Sequence, residues 1–133
     1  MNKFELSQSF NFDAAHTLRR EVPLAEYSPS MTIHGHSYTA VVTVRGDIGA
    51  DGMIEYFKLP KNSRTKVDLF YLRERLAKVR TLLDHKFLDE VEDLKVGTLE
   101  NLCVFIYKKI NDFPVSAVTV SRPSSGDSCT YRP

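Results

Sequence analysis

At 133 residues the chain has the length of one domain with one core, and 42% hydrophobic residues, including 8 Phe and 6 Tyr, are enough to fill it, which excludes a disordered chain. Eighteen basic residues against seventeen acidic ones leave a formal net charge of +1, so no global field recruits nucleic acid or an anionic membrane surface. The opening MNKFELSQSFNFD has no long apolar run, which argues against a signal peptide or a membrane span and makes the cytoplasm the expected location.

Phe4, Leu6, Phe10 and Phe12 share one face of a strand that leads to His16. Leu18 to Ser30 is polar, carries Pro23 and Pro29, and reads as a loop. A second strand begins near Ile33, with His34, His36, Tyr38, Ala40, Val42 and Val44 on one face. GDIGADG then turns the chain into Met53 to Phe57, and Lys58 to Arg64 reads as an extended hairpin tip before a returning strand over Thr65 to Val67.

Asp68 is placed to cap a helix whose apolar residues Leu69, Leu72, Leu76, Val79 and Leu83 recur at intervals of three and four. A second helix starts at Thr98, with Glu100 in its first turn and Leu102, Phe105, Ile106 and Ile110 on its buried side, and stops before Pro114. Ala117 to Val120 forms a β-branched strand, and Cys129 to Arg132 a short last one. The order of elements implies an α+β fold: an antiparallel four-stranded sheet with two helices on one face. Its open edges and uncovered second face suggest an oligomer. Cys103 and Cys129, on a helix and a strand, form neither a disulfide framework nor a zinc pair.

His34 and His36 point the same way from one strand, Gly35 between them permits close approach, and His16 on a neighbouring strand supplies a third imidazole. A single strand histidine is more readily a surface or core residue. Three that converge form a site for Zn2+ with one coordination position left free. His85, beside Asp84, reads either as a packing residue or as a proton carrier steadied by the neighbouring carboxylate.

FDAAH, HGHSY, GADGM, LLDHKFL, GTLENL and a closing TY stand, over nearly the whole chain, in an order that resembles the 6-pyruvoyl-tetrahydropterin synthase and 6-carboxytetrahydropterin synthase family. The resemblance implies the tunnelling fold, a barrel-forming homo-oligomer (a trimer or a dimer of trimers) with the active site between subunits. It implies His16, His34 and His36 as zinc ligands, Asp84 and His85 as two members of a catalytic triad, and Thr98 and Glu100 near a pterin-like substrate. It also makes the segment at about 57–66 a hairpin insertion within a single domain over 1–133. Phosphates of a dihydroneopterin triphosphate-like substrate would meet Arg19, Arg20, Lys58, Lys61 or Arg64, unless these simply form a solvated face.

Two positions depart from the family. Its third triad member is a cysteine four residues before HGH, where this chain has Ser30, a far weaker acid than a thiol. Glu26 is an alternative base. The family's pterin-anchoring glutamate on the penultimate strand falls at Arg122 or, shifted by one residue, at Pro123, and neither side chain can accept hydrogen bonds from a pterin edge. Either Asp127 takes that role, or the substrate offers acceptors, or Arg122 merely pairs with an acid. The expected activity is therefore that of a zinc-dependent carbon–oxygen or carbon–carbon lyase acting on a pterin. The alternatives are a different heterocyclic substrate on the same metal site and a non-catalytic zinc-containing oligomer.

Overall fold

The structure, a computed structural model, describes residues 3–17, 32–58 and 63–133. Strands β1 (Phe4–His16) and β2 (His34–Ile48) pair antiparallel over their whole common length, from Phe4 opposite Gly46 to His16 opposite His34. The other edge of β2 takes β6 (Val115–Arg122) along Thr39 to Val44, and β7 (Asp127–Tyr131) pairs with β6. Further along the same edge, Asp47 and Ile48 hold the hairpin of β3 (Ile54–Lys58) and β4 (Ser63–Lys66). Val67 lies just past that hairpin, buried, with its N–H donated to the Ile54 carbonyl.

Strand alternation sets the layers. Along β1 burial deepens on every second residue from Leu6 through Phe12 and Ala14 to His16, and along β2 Tyr38, Ala40, Val42 and Val44 are buried. Onto this face pack helix α1 (Leu69–Leu83), through Leu72, Leu76, Val79 and Leu83, and helix α2 (Leu99–Ile110), through Leu102, Cys103, Phe105, Ile106 and Ile110. Both start where their capping residues stand: Asp68 accepts from the Phe70 N–H and Thr98 from the Asn101 N–H.

The opposite face is polar. Cross-strand partners Ser7 and Thr43, Asn11 and Thr39, Asp13 and Ser37, and Thr119 and Thr130 are each joined by a side-chain hydrogen bond of 2.6–2.8 Å. Its side chains thus satisfy one another across the strands without apolar cover.

The expected purely antiparallel four-stranded sheet is corrected to a mixed one. The antiparallel set β1-β2-β6-β7 is present, but β5 (Lys86–Phe87) runs parallel to β1 beside Ala14 and Ala15, and the β3–β4 hairpin extends the sheet. The return of α1 along β1 brings its C-terminus to that edge, and a two-residue strand carries no periodicity from which it could be foreseen. Cys103 and Cys129 also prove to be neighbours, the thiol of Cys103 donating to the Cys129 carbonyl at 3.4 Å. Burial pushes the Cys103 thiol up to about 12, so it is an inert core residue. No helix among the described residues is long and apolar enough to cross a membrane.

Candidate metal centre

His16, His34 and His36 meet at the end of the core face. Their ring centroids stand 4.5, 5.0 and 4.9 Å apart, a nearly equilateral triangle of edge-on imidazoles. The backbone fixes two of the rings. His16 Nδ1 lies 2.8 Å from the Gly97 carbonyl and His34 Nδ1 lies 2.8 Å from the Thr32 carbonyl. A carbonyl only accepts, so both Nδ1 atoms carry a proton, and in the neutral rings both Nε2 atoms present bare lone pairs. Those two Nε2 atoms face each other at 2.9 Å. Two lone pairs at that distance repel unless a cation lies between them.

A proton is a poor choice for that cation. Burial lowers the His16 pKa, the Gly97 carbonyl offsets part of this, and His34 and Arg122 lower it further. His36 is lowered by burial and then by Arg122. Three convergent imidazoles, two of them oriented by backbone carbonyls, are the chemistry of a divalent metal centre, and imidazole-only ligation suits zinc.

The packing behind this set explains the local sequence. A Cβ on Gly97 would lie 3.0 Å from Leu88 Cβ and 3.4 Å from His16 Cβ, so only glycine brings the carbonyl onto His16. Gly35 is different: a Cβ there would meet nothing nearer than the Ala14 carbonyl at 3.6 Å, an ordinary contact. After His16, the N–H and hydroxyl of Thr17 both donate to Asp89, which anchors the strand end.

A second cluster joins Asp13, Asp84 and His85. Asp84 Oδ1 accepts from the Asp13 N–H at 2.9 Å, and its Oδ2 pairs with Arg80 at 2.9 Å. The Asp13 N–H first, and Arg80 after it, holds the Asp84 carboxyl below its ordinary value. His85 adopts φ 59°, a strained conformation for a residue with a side chain, and its N–H is donated to the Asp13 carbonyl. The ring of His85 is 79% exposed and its Nε2 lies 3.8 Å from Asp84 Oδ1. That is beyond hydrogen-bond reach, so Asp84 acts on His85 through charge and does not fix its tautomer.

The two clusters occupy different places. Asp13 and Ser37 alternate with the buried face that carries His16 and His36, and with His85, Lys86, Phe87 and Ser124 they line an open cleft of about 720 Å³. Of the three histidines only His36 reaches it.

The family model for 6-pyruvoyl tetrahydropterin synthase matches residues 5–133. The chain belongs to that family. Among solved structures, the 6-pyruvoyl tetrahydropterin synthase of Caenorhabditis elegans is 23% identical, with 98% of this chain and 95% of that one covered and a TM-score of 0.78. The Plasmodium falciparum 6-pyruvoyl tetrahydropterin synthase is 18% identical (100% and 99% covered, TM-score 0.64), and the uncharacterised protein WS1659 of Wolinella succinogenes is 12% identical (97% and 97%, TM-score 0.71). At such identities the likeness carries the fold. No curated protein matches the chain.

Arg122 of this family member extends from the end of β6 toward the three histidines. Its Nη1 is 3.4 Å from His36 Nε2, and its Nη2 donates to Asp127 at 2.7 Å. It therefore does pair with an acid, as one of the sequence alternatives had it, but from a half-buried position beside the histidines. Thr98 spends its hydroxyl on the α2 cap, and Glu100 is exposed in the first turn of that helix. Ser30, Glu26, Arg19, Arg20 and Lys61, and the side chains of Lys58 and Arg64, lie outside the described residues. Sequence reasoning missed Asp13, Tyr38, Asp89 and Gly97. Three of them stand inside quoted motifs, and only contacts between distant segments reveal their roles.

Proposed function

We propose that the chain is a zinc-dependent lyase of the pterin synthase type, acting on dihydroneopterin triphosphate or a related pterin. The observation that carries this reading is the pair of bare lone pairs on His16 and His34, 2.9 Å apart, with His36 as third donor. Bound there, zinc would supply Lewis-acid polarisation of substrate side-chain oxygens.

The chain's own groups handle the protons. His85 presents an exposed ring that takes or gives a proton at a ring nitrogen, with the Asp84 carboxylate 3.8 Å from its Nε2. Ser30 or Glu26 is the remaining base. A carboxylate in that role has a parallel in a Plasmodium vivax 6-pyruvoyltetrahydropterin synthase, 20% identical, in which a mutated glutamate is described as a catalytic residue. Thr98 and Glu100 are assigned to substrate contact, and the segment at about 57–66 is an insertion relative to the family.

A homo-oligomer, a trimer or a dimer of trimers, completes the site in this reading. Among the described residues, β7 pairs only with β6, and β1 leaves most of its outer edge free beyond β5. In this reading a second copy lies against the free strand edges and closes the open cleft that His36 and His85 line.

A second reading keeps the fold and metal but changes the heterocycle. Arg122 favours it, because a guanidinium opposes the donors of a pterin edge at a cost of ~1–3 kcal/mol per unsatisfied group. Purified protein with stoichiometric zinc, incubated with dihydroneopterin triphosphate and followed for triphosphate release, separates the two. Release supports the first reading. No release at any metal loading, with thermal stabilisation by another heterocycle, supports the second.

A further inference from the structure

Two side-chain atoms among the described residues are buried with no hydrogen-bond partner: the Tyr38 hydroxyl and Arg122 Nε. Both are donors, and both belong to side chains at the metal centre. Tyr38 is 1% exposed, stacks on Phe12 with ring centroids 4.8 Å apart, and stands 5.8 Å from the His36 ring. The Arg122 guanidinium lies beside the Tyr38 hydroxyl and can only donate to its oxygen, which leaves the O–H proton of Tyr38 without an acceptor.

Metal binding makes this shortage of acceptors worse. Arg122 Nη1 faces His36 Nε2 at 3.4 Å. If His36 binds metal through Nε2, its lone pair is used up. If it binds through Nδ1, then Nε2 carries a proton and becomes a donor as well. In both cases Nη1 loses His36 as an acceptor, and a divalent cation is brought beside a guanidinium paired with the Asp127 carboxylate.

We propose that Arg122 and Tyr38 form an oxyanion subsite beside the three histidines, built for a carboxylate or phosphoryl oxygen of the ligand that completes the metal's coordination. An oxyanion there accepts from Arg122 Nη1 and Nε and from the Tyr38 hydroxyl, and offsets the charge that metal and guanidinium bring together. The metal-dependent part rests on the zinc reading above. It also specifies what the change from an anchoring carboxylate to Arg122 selects: a ligand presenting acceptors in place of donors.

The test uses the full-length protein loaded with cobalt(II), whose visible absorption reports changes in the ligand field. Acetate and inorganic phosphate are titrated separately into wild type, Arg122→Gln and Tyr38→Phe, with cobalt stoichiometry measured for each. The wild type should show a saturable spectral change, and the more tightly bound anion identifies the class. Arg122→Gln should bind it roughly tenfold more weakly or worse, and Tyr38→Phe severalfold more weakly, both with unchanged cobalt content. Equal anion affinity in wild type and Arg122→Gln overturns the subsite. Thermal shifts of the metal-free proteins separate this outcome from failure of the metal reading, because the two orphan donors exist without metal. Anion stabilisation that disappears in Arg122→Gln, in a protein that takes up no cobalt, removes the metal and keeps the subsite. Absence of anion binding in both forms removes the subsite.

Discussion

Replacing Gly97 by alanine tests the link between packing and metal chemistry. The added Cβ would stand 3.0 Å from Leu88 Cβ, 3.2 Å from Leu88 Cδ1 and 3.4 Å from His16 Cβ, with Leu88 fully buried and unable to move aside. Overpacking of that kind costs ~1–3 kcal/mol. With a urea slope of ~2 kcal/mol/M, the unfolding midpoint should fall by about 0.5–1.5 M. The same displacement pulls the Gly97 carbonyl from His16 Nδ1, and loss of such an orienting partner weakens a metal site by ~10–100-fold. Gly35→Ala is the matched control, since its Cβ meets only the Ala14 carbonyl at 3.6 Å, and it should leave the urea midpoint close to wild type. Urea denaturation of the metal-free proteins and competitive zinc titration read the two effects separately. If Gly97→Ala matches wild type in both, the packing account of the His16 orientation is wrong.

Tyr38→Phe should raise the stability of the metal-free chain by about 1 kcal/mol or more in urea denaturation, since it removes a buried donor with no partner; a loss would mean the hydroxyl has an acceptor after all. Burial lowers the pKa values of His16 and His36 from 6.5, so zinc occupancy, measured by dialysis at fixed free metal, should persist as pH falls through 6.5 and drop only below it. In the metal-free chain the unfolded state takes up those protons first, so this contribution to stability is complete above about pH 6.5 and declines as pH falls from there. Asp89→Asn retains an acceptor for Thr17 but loses the charge, and should weaken zinc binding severalfold without unfolding the chain. If triphosphate release is observed, Glu26→Gln and Ser30→Ala should separate the two candidate bases, the correct one lowering kcat by ~10²-fold or more.

Much of the fold was legible because it follows local rules. Asp68 and Thr98 cap the helices where their spacing placed them, and the period-two pattern through His34, His36 and Tyr38 put the histidines and the core on one face. What escaped depends on contacts between distant segments. The two residues of β5 are too few to show a period, and the pairing of Cys103 with Cys129 depends on how α2 sits across β6 and β7. Gly35 seemed the glycine that mattered because it lies between two ligands, yet Gly97, eighty-one residues from His16, is the one with no room for a side chain. Arg122 was visible as a departure from the family, but its reach toward His36 was not.

Metal content of purified protein after zinc loading and exhaustive dialysis bears most directly on the central claim. The account predicts one zinc per chain in wild type and loss of stoichiometric zinc in His16→Ala, His34→Ala and His36→Ala, with each variant still folded by circular dichroism. Stoichiometric zinc retained in folded His16→Ala and His34→Ala would contradict it, because the facing lone pairs of those two rings are what calls for the metal.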